Sequence, residues 1–131
     1  MIPRLALALP ALAIAAWLAI GYYDANREQR GLRLSKTEAA VRDEGVAREA
    51  DGLLRDAETL NPDPTPKVER ATLAIRRHRY EEAIAILRPV VLDEPRNFDA
   101  WILLANAAGE AGHERLLARA LLRSRQLAGR D

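Results

Sequence analysis

The stretch RYEEAIAILRPVVLDEPRNFDAW, residues 79–101, holds the features that decide the fold. Its apolar residues at helical spacing are Ala83, Ile84, Ile86, Leu87, Val90 and Val91. That spacing predicts a helix over 80–94. Pro95 should end this helix, because proline has no amide hydrogen to donate and clashes with the preceding turn. A second apolar pattern begins at Phe98, so the stretch joins two helices.

The sequence on either side of this junction is also helical in character. The apolar spacing predicts further helices over 67–79, 98–110 and 114–127. His78-Arg79 is the candidate turn after the first of these, and Gly109 and Gly112 bracket the turn after the second. Ala, Leu, Arg and Glu, all good helix formers, dominate the composition. The fold class is therefore predicted to be all-α.

An internal repeat runs through this part of the chain. Ala50, Leu54, Ala57 and Pro62 recur, all at the same offset, as Ala83, Leu87, Val90 and Pro95. Leu117, Leu121 and Ser124 continue the series after nearly the same interval. One pair of helices per period predicts stacked antiparallel helical hairpins, which form a short α-solenoid.

The residue types at these positions resemble the tetratricopeptide repeat (TPR) family. Trp101, Leu104, Ala105 and Gly112 match the first helix and turn of one repeat, and Tyr80, Ala83, Leu87 and Pro95 match the second helix of the repeat before it. The resemblance implies an interaction fold and no particular reaction. Two departures are Val90, where a small residue is usual, and Pro89, which should kink its helix or open its first turns.

The N-terminal segment has a different character. An uncharged run extends from Leu5 to Tyr23 and would be about 28 Å long as a helix, close to the thickness of a bilayer core. Trp17, Tyr22 and Tyr23 lie toward its end, where aromatic rings favour the headgroup boundary. The run predicts a single transmembrane anchor within residues 1–23.

Two questions about this segment stay open. Ala19-Ile20-Gly21 has the small residues of a signal-peptide cleavage site, so a cleaved leader is the alternative to a retained anchor. Arg27, Arg30, Arg33 and Lys36 follow the run, and their positive charge favours a cytoplasmic C-terminal part. Long domains cross membranes largely regardless of charge, however, so the orientation is not decided.

The chain is thus divided into seven segments. They are an anchor (1–23), a juxtamembrane helix or linker (24–45), a lone helix resembling the second helix of a TPR (46–60), a proline-rich connector (61–66), two TPR-like repeats (67–97 and 98–128) and a tail (129–131). A capping box at Ser35–Glu38 is predicted to begin a helix inside the second segment.

Charge and composition argue against several classes of function. The 20 basic and 19 acidic residues are interspersed and leave a net charge of +1, whereas a nucleic-acid binder usually clusters basic charge. The absence of cysteine excludes disulfides, thiolate metal sites and cysteine nucleophiles. His78 and His113 could form a metal pair only if their turns converged, and they are interpreted as solvated turn residues. No catalytic, cofactor or metal site is predicted.

The TPR resemblance also implies a set of partner-binding residues, those that the family turns toward its concave groove. In this chain they are Val68, Thr72, Ile75, Arg76, Ile102, Asn106 and Glu110. Asn106 is the foremost candidate, because in peptide-binding relatives an asparagine at that position holds the ligand backbone.

Three functions are compatible with these features. The first is a bacterial, membrane-tethered adaptor that binds a membrane protein, as an accessory or assembly subunit of a cell-envelope complex. The second is self-association, because the alanines of the anchor allow close helix approach in lipid. The third is a secreted TPR domain released after cleavage at Gly21. None of the three is enzymatic.

Overall fold

The computed structural model describes residues 3–60 and 63–129, which form seven α-helices and no strand, so the all-α prediction is confirmed. The helices are α1 (Pro3–Ser35), α2 (Glu38–Arg42), α3 (Glu44–Leu60), α4 (Thr65–Arg76), α5 (Tyr80–Asp93), α6 (Phe98–Glu110) and α7 (Glu114–Ala128). Residues 1–2 of the predicted anchor, 61–62 of the connector and 130–131 of the tail lie outside the described residues.

The prolines affect the helices less than the sequence suggested. Helix α4 begins at Thr65 inside the predicted connector, with the buried Pro66 in its first turn, where the missing amide hydrogen would have no partner anyway. Helix α5 continues through Pro89 to Asp93, so the predicted opening of its first turns does not occur. The carbonyl of Ala85, which Pro89 leaves without a helical donor, belongs to an exposed residue that water can reach.

The turn between α4 and α5 contains His78-Arg79, as predicted, but helix α4 stops short of its predicted end at residue 79. Helix α4 ends at Arg76, and His78 takes a positive φ of 58° that a helix cannot accommodate. Gly112 occupies the matching place after α6, with a φ of 76°. Glycine adopts this conformation without steric cost, whereas histidine does so with strain.

The helices pack as three consecutive hairpins. Helix α4 packs on α5 and α6 packs on α7, as the two repeats predict, and α1 packs on α3 to make a hairpin before them. The segment 46–60, which the repeat pattern left without a partner, is therefore the second helix of a first hairpin. Segment 24–45 supplies the C-terminal part of α1 and the short helix α2 that leads into α3.

Neighbouring hairpins are joined in the order of the chain. Helix α3 packs on α4, and α5 packs on α6. The first helices of successive hairpins also meet, α1 with α4 and α4 with α6. Each hairpin thus contacts only the hairpins next to it, which is the packing of an α-solenoid.

Small residues set how closely the helices approach. Ala71, Ala83, Ala100 and Ala107 are fully buried in the main hydrophobic core, together with Leu87. In the first hairpin Gly31 plays the same part: a Cβ placed on it would lie 3.1 Å from the side chain of the fully buried Leu54. Alanine and glycine at these positions bring the two helices of a hairpin close enough for leucine side chains to fill the space between them.

The predicted capping box is wrong. Ser35 is the last residue of α1, and its buried hydroxyl donates to Glu69 Oε1 at 2.7 Å. The following helix is capped by Thr37, whose side-chain oxygen accepts from the amide of Ala40 at 3.1 Å. Two hydroxyls lie near this boundary, and tertiary contact with α4 decides which of them becomes the cap.

The predicted anchor forms the N-terminal part of α1. Most of its side chains lie outside the described residues, but Ile14, Trp17, Leu18 and Tyr22 are described and exposed. Within the part of the chain that the structure describes, no helix is both long enough and apolar enough to cross a membrane.

Candidate interaction surface

The seven predicted binding residues lie on two neighbouring helices. Val68, Thr72, Ile75 and Arg76 are on α4, and Ile102, Asn106 and Glu110 are on α6. The two helices are the first helices of successive hairpins and contact each other, so the two groups belong to adjacent parts of one surface. Their exposure differs, however, and this difference decides which of them a partner could reach.

The residues on α4 are largely occupied within the chain. Val68 and Ile75 pack against the main core. The hydroxyl of Thr72 donates to the carbonyl of Val68 at 2.9 Å. Arg76 donates to the carbonyl of Ser35 at 2.8 Å, across the interface with α1. The predicted binding residues on α4 are therefore already engaged in contacts within the chain.

Helix α6 presents an open face instead. Ile102 is 41% exposed and Phe98, one turn earlier, is 42% exposed. Asn106 lies one turn after Ile102, and its side chain is exposed as well. The three residues are spaced by four, so they form one stripe of two apolar side chains and one amide. Among the predicted residues, Ile102 and Asn106 are the best placed to meet a partner.

Glu110 lies at the end of the same helix but faces the turns. Partial burial raises the pKa of the Tyr80 hydroxyl, and the neighbouring carboxylate of Glu110 raises that pKa further. Nδ1 of His78 is 2.7 Å from the Tyr80 hydroxyl. Glu110 is thus part of a polar cluster between α5 and α6, at the end opposite Phe98.

The two histidines have different hydrogen-bond partners. Nε2 of His113 is 2.7 Å from Oε1 of Glu81, whereas His78 pairs with Tyr80. No group of three or more metal-ligating side chains is present among the described residues. The contact between His113 and Glu81 joins the last turn to the start of α5, and both side chains are exposed.

Arginine pairs hold the first hairpin to α4, and sequence reasoning missed them. The guanidinium of Arg77 donates to the carbonyl of Ala40 at 2.8 Å and of Val41 at 3.1 Å, and it pairs with the carboxylate of Glu44. Arg77 follows α4 directly, so its side chain satisfies the carbonyls at the end of α2. Arg77 lies two residues before Arg79 and outside the apolar repeat, so no periodic pattern in the sequence could have identified its contacts.

Arg70 makes the most buried of these contacts. It donates to Asp51 at 2.7 Å and to Glu58 at 2.8 Å, both on α3, and its side chain is 11% exposed. Burial alone would lower the pKa of Arg70, but the hydrogen bonds to Glu58 and Asp51 outweigh it and raise that pKa. The two carboxylates were a detectable signal, because Asp51 and Glu58 lie two turns apart on one face of α3.

The last hairpin has a face that no other helix covers in the described chain. Leu87 of α5 is fully buried because α6 packs over that helix, whereas Leu121, its counterpart in the next repeat, is 37% exposed. Leu122 beside it is also exposed. The repeat therefore ends with apolar side chains on α7 in the positions where a further hairpin would pack.

Comparison with known proteins gives no relative for this arrangement. No protein-family model, no curated protein and no solved structure matches the chain.

Proposed function

We propose that the protein is a non-enzymatic protein–protein interaction module, tethered to the cell membrane by a single helix, and that it serves as an accessory or assembly subunit of a membrane or cell-envelope complex. The solenoid packing and the TPR-like residues support an interaction fold. The observation that carries the proposal is the stripe on α6, where Phe98 and Ile102 remain exposed beside Asn106.

Exposed apolar residues in a row favour binding over simple solvation. Isolated apolar side chains are common on protein surfaces, but a stripe bordered by polar groups is typical of an interaction site. Asp99 and Glu110 border this stripe and are both exposed. A partner that covers the part of the stripe formed by Ile102 and Asn106 would bury an apolar side chain and could hydrogen-bond the amide of Asn106.

The membrane tether rests on the uncharged run from Leu5 to Tyr23. Trp17 and Tyr22 are exposed, and they would lie near the headgroup boundary if the run spanned the bilayer. The basic residues that follow the run favour a cytoplasmic solenoid. A cleaved leader remains the alternative, and it would leave a secreted solenoid.

Self-association is the second candidate, and the uncovered face of α7 favours it. Leu121 and Leu122 lie where a further hairpin would pack, so another copy of the chain could supply that hairpin. The two candidates use different surfaces, one on α6 and one on α7.

A pull-down from membranes solubilised in mild detergent separates them. The tagged full-length chain is compared with Ile102→Glu and with Leu122→Glu, which places the same charge at an exposed leucine of α7. The adaptor proposal expects a stoichiometric membrane protein that Ile102→Glu loses and Leu122→Glu retains. Recovery of the chain alone, sensitive only to Leu122→Glu, would replace it with self-association. The intact mass reports whether the N-terminal run is retained.

A further inference from the structure

The end of the solenoid from which α1 emerges can be identified from side-chain pairs. Arg27 of α1 pairs with Asp56 of α3 at 2.9 Å, and Arg30 pairs with Glu49 at 2.8 Å. In these two pairs the residue number rises along α1 while it falls along α3, so the two helices are antiparallel. The uncharged run therefore leaves the bundle at the edge where α3 ends, near residue 60.

The loop between α5 and α6 lies on this same edge. Ser35 of α1 contacts both Glu69 and Arg76 of α4, so the end of α1 lies beside α4. Because α3 runs opposite to α1 and α4 returns after the connector, α4 runs in the direction of α1. Helix α5 reverses again and α6 follows α4, so the end of α5 and the start of α6 are on the side from which the N-terminal run projects.

Two large apolar side chains are exposed on that edge. Leu92, in the last turn of α5, is 78% exposed, and Phe98, the first residue of α6, is 42% exposed. The opposite edge carries Lys36, His78 and His113 in its turns, all exposed and polar. Leu92 and Phe98 thus lie at the end of the molecule nearest to the proposed anchor.

Hydrogen bonds hold the loop between these residues in one shape. Nε1 of Trp101 donates to the carbonyl of Pro95 at 3.1 Å. The side-chain oxygen of Asn97 accepts from the amide of Ala100 at 3.0 Å, and its amide nitrogen donates to Glu94 at 3.0 Å. The loop is therefore a fixed connection that keeps Leu92 and Phe98 at the edge.

We propose that this edge rests on the bilayer, with Leu92 and Phe98 inserted at the headgroup boundary as a second contact beside the anchor. The proposal depends on the anchor proposed above. The surrounding charges are two arginines, Arg88 and Arg96, and three carboxylates, Asp93, Glu94 and Asp99, so there is no excess of positive charge and the surface they fit is a zwitterionic one. The contact would fix the tilt of the solenoid and assign Phe98, at the start of the stripe on α6, to the membrane, while Ile102 and Asn106, further along α6, stay accessible to a partner above the membrane.

The absence of cysteine from the chain allows a direct test. Single-cysteine variants of the full-length protein, Leu92→Cys and Phe98→Cys, are labelled with an environment-sensitive fluorophore and reconstituted in phosphatidylcholine vesicles. Lipids that carry a spin label near the headgroup quench a fluorophore at the boundary, and lipids that carry one deep in the acyl chain quench a fluorophore at the centre of the bilayer, where position 14 would lie. Lys36→Cys, on the opposite edge, is the exposed control, and Ile14→Cys reports on the anchor.

We expect quenching and a blue-shifted emission at positions 92 and 98, and neither at position 36. Quenching at 14 with labels at 92 and 98 that behave like the one at 36 would overturn the inference and leave the anchor intact. A blue shift at 92 and 98 without quenching would also overturn it, because a protein surface would then cover the edge. No quenching at 14 would remove the anchor and the inference together.

Discussion

The first and last hairpins are built alike but are bound to the rest of the molecule in different ways. Charged side chains tie the first hairpin to α4, through Arg70, Arg76 and Arg77. The last hairpin packs on α5 through alanine and leucine, and exposed leucines remain on α7. Arginine thus has an internal role at one end of the solenoid, whereas apolar side chains are left uncovered at the other.

The largest expected difference between the two hairpins concerns one repeat position. Leu54→Ala removes a fully buried side chain from the first hairpin and should lower the free energy of unfolding by about 2–5 kcal/mol. Leu121→Ala changes the corresponding residue of the last hairpin, which is 37% exposed, and should cost less than about 1.5 kcal/mol. Denaturant unfolding of both variants measures the difference. Equal losses would mean that the last hairpin is covered as fully as the first.

Loss of the Arg77 contacts should have the next largest effect. Arg77→Ala leaves the carbonyls of Ala40 and Val41 and the carboxylate of Glu44 without their donor, and should cost about 2–3 kcal/mol. Arg88→Ala, at an exposed position on α5, is the control and should change stability by less than about 0.5 kcal/mol. Hydrogen exchange should show faster opening of α2 in the first variant. Unchanged protection of α2 would contradict the role given to Arg77.

Two glycines offer a smaller and more specific comparison. A methyl group at Gly31 would lie 3.1 Å from Leu54, so Gly31→Ala should destabilise the first hairpin by about 1–3 kcal/mol. Gly52 of α3 has no atom within 4 Å of the same added group, so Gly52→Ala should stabilise the helix by up to about 1 kcal/mol. Thermal unfolding shows whether each substitution lowers or raises the stability of the protein. A stabilising Gly31→Ala would show that α1 and α3 are less closely packed than described.

The N-terminus of α3 should open more readily as the pH falls, whereas the last hairpin should not show this dependence on pH. The amides of Val46 and Gly45 donate to Asp43 and hold the pKa of its carboxyl below the usual value. A hydrogen bond from Arg79 does the same for the pKa of Glu44. A lowered folded-state pKa means stability that is present above the unfolded pKa and lost as pH falls through the folded one. Hydrogen exchange, followed as the pH falls below the usual carboxyl range, should therefore show α3 opening at its N-terminus, and Asp43→Asn should reduce that dependence. An α3 whose protection does not change with pH would contradict this sign.

The sequence predicted which residues are buried where the packed residues recur at a regular spacing. Ala83 and Leu87 of α5 are four residues apart, as on one helix face, and Leu104 of α6 lies at a position that the repeat marks as apolar; all three are buried. Helix α6 has the predicted bounds because Asn97 caps it locally and Gly112 turns the chain after it.

The first hairpin was harder to recognise because its features are not periodic. Its first helix is the end of a longer helix, and Gly31 replaces the alanine that marks the later hairpins. The helix α2 lengthens the connection between its two helices, which hides the period. The contacts of Ser35, Arg76 and Arg77 join positions far apart in the sequence, and only the folded chain brings them together.

The most direct test of the central claim is site-specific photo-crosslinking in intact cells. A photoreactive residue at position 102, on the exposed stripe of α6, is compared with one at position 55, an exposed position on α3. The account predicts that position 102 gives a discrete adduct with another protein and that position 55 does not. Adducts of equal yield at both positions, or none at 102, would contradict the assignment of α6 as the partner surface.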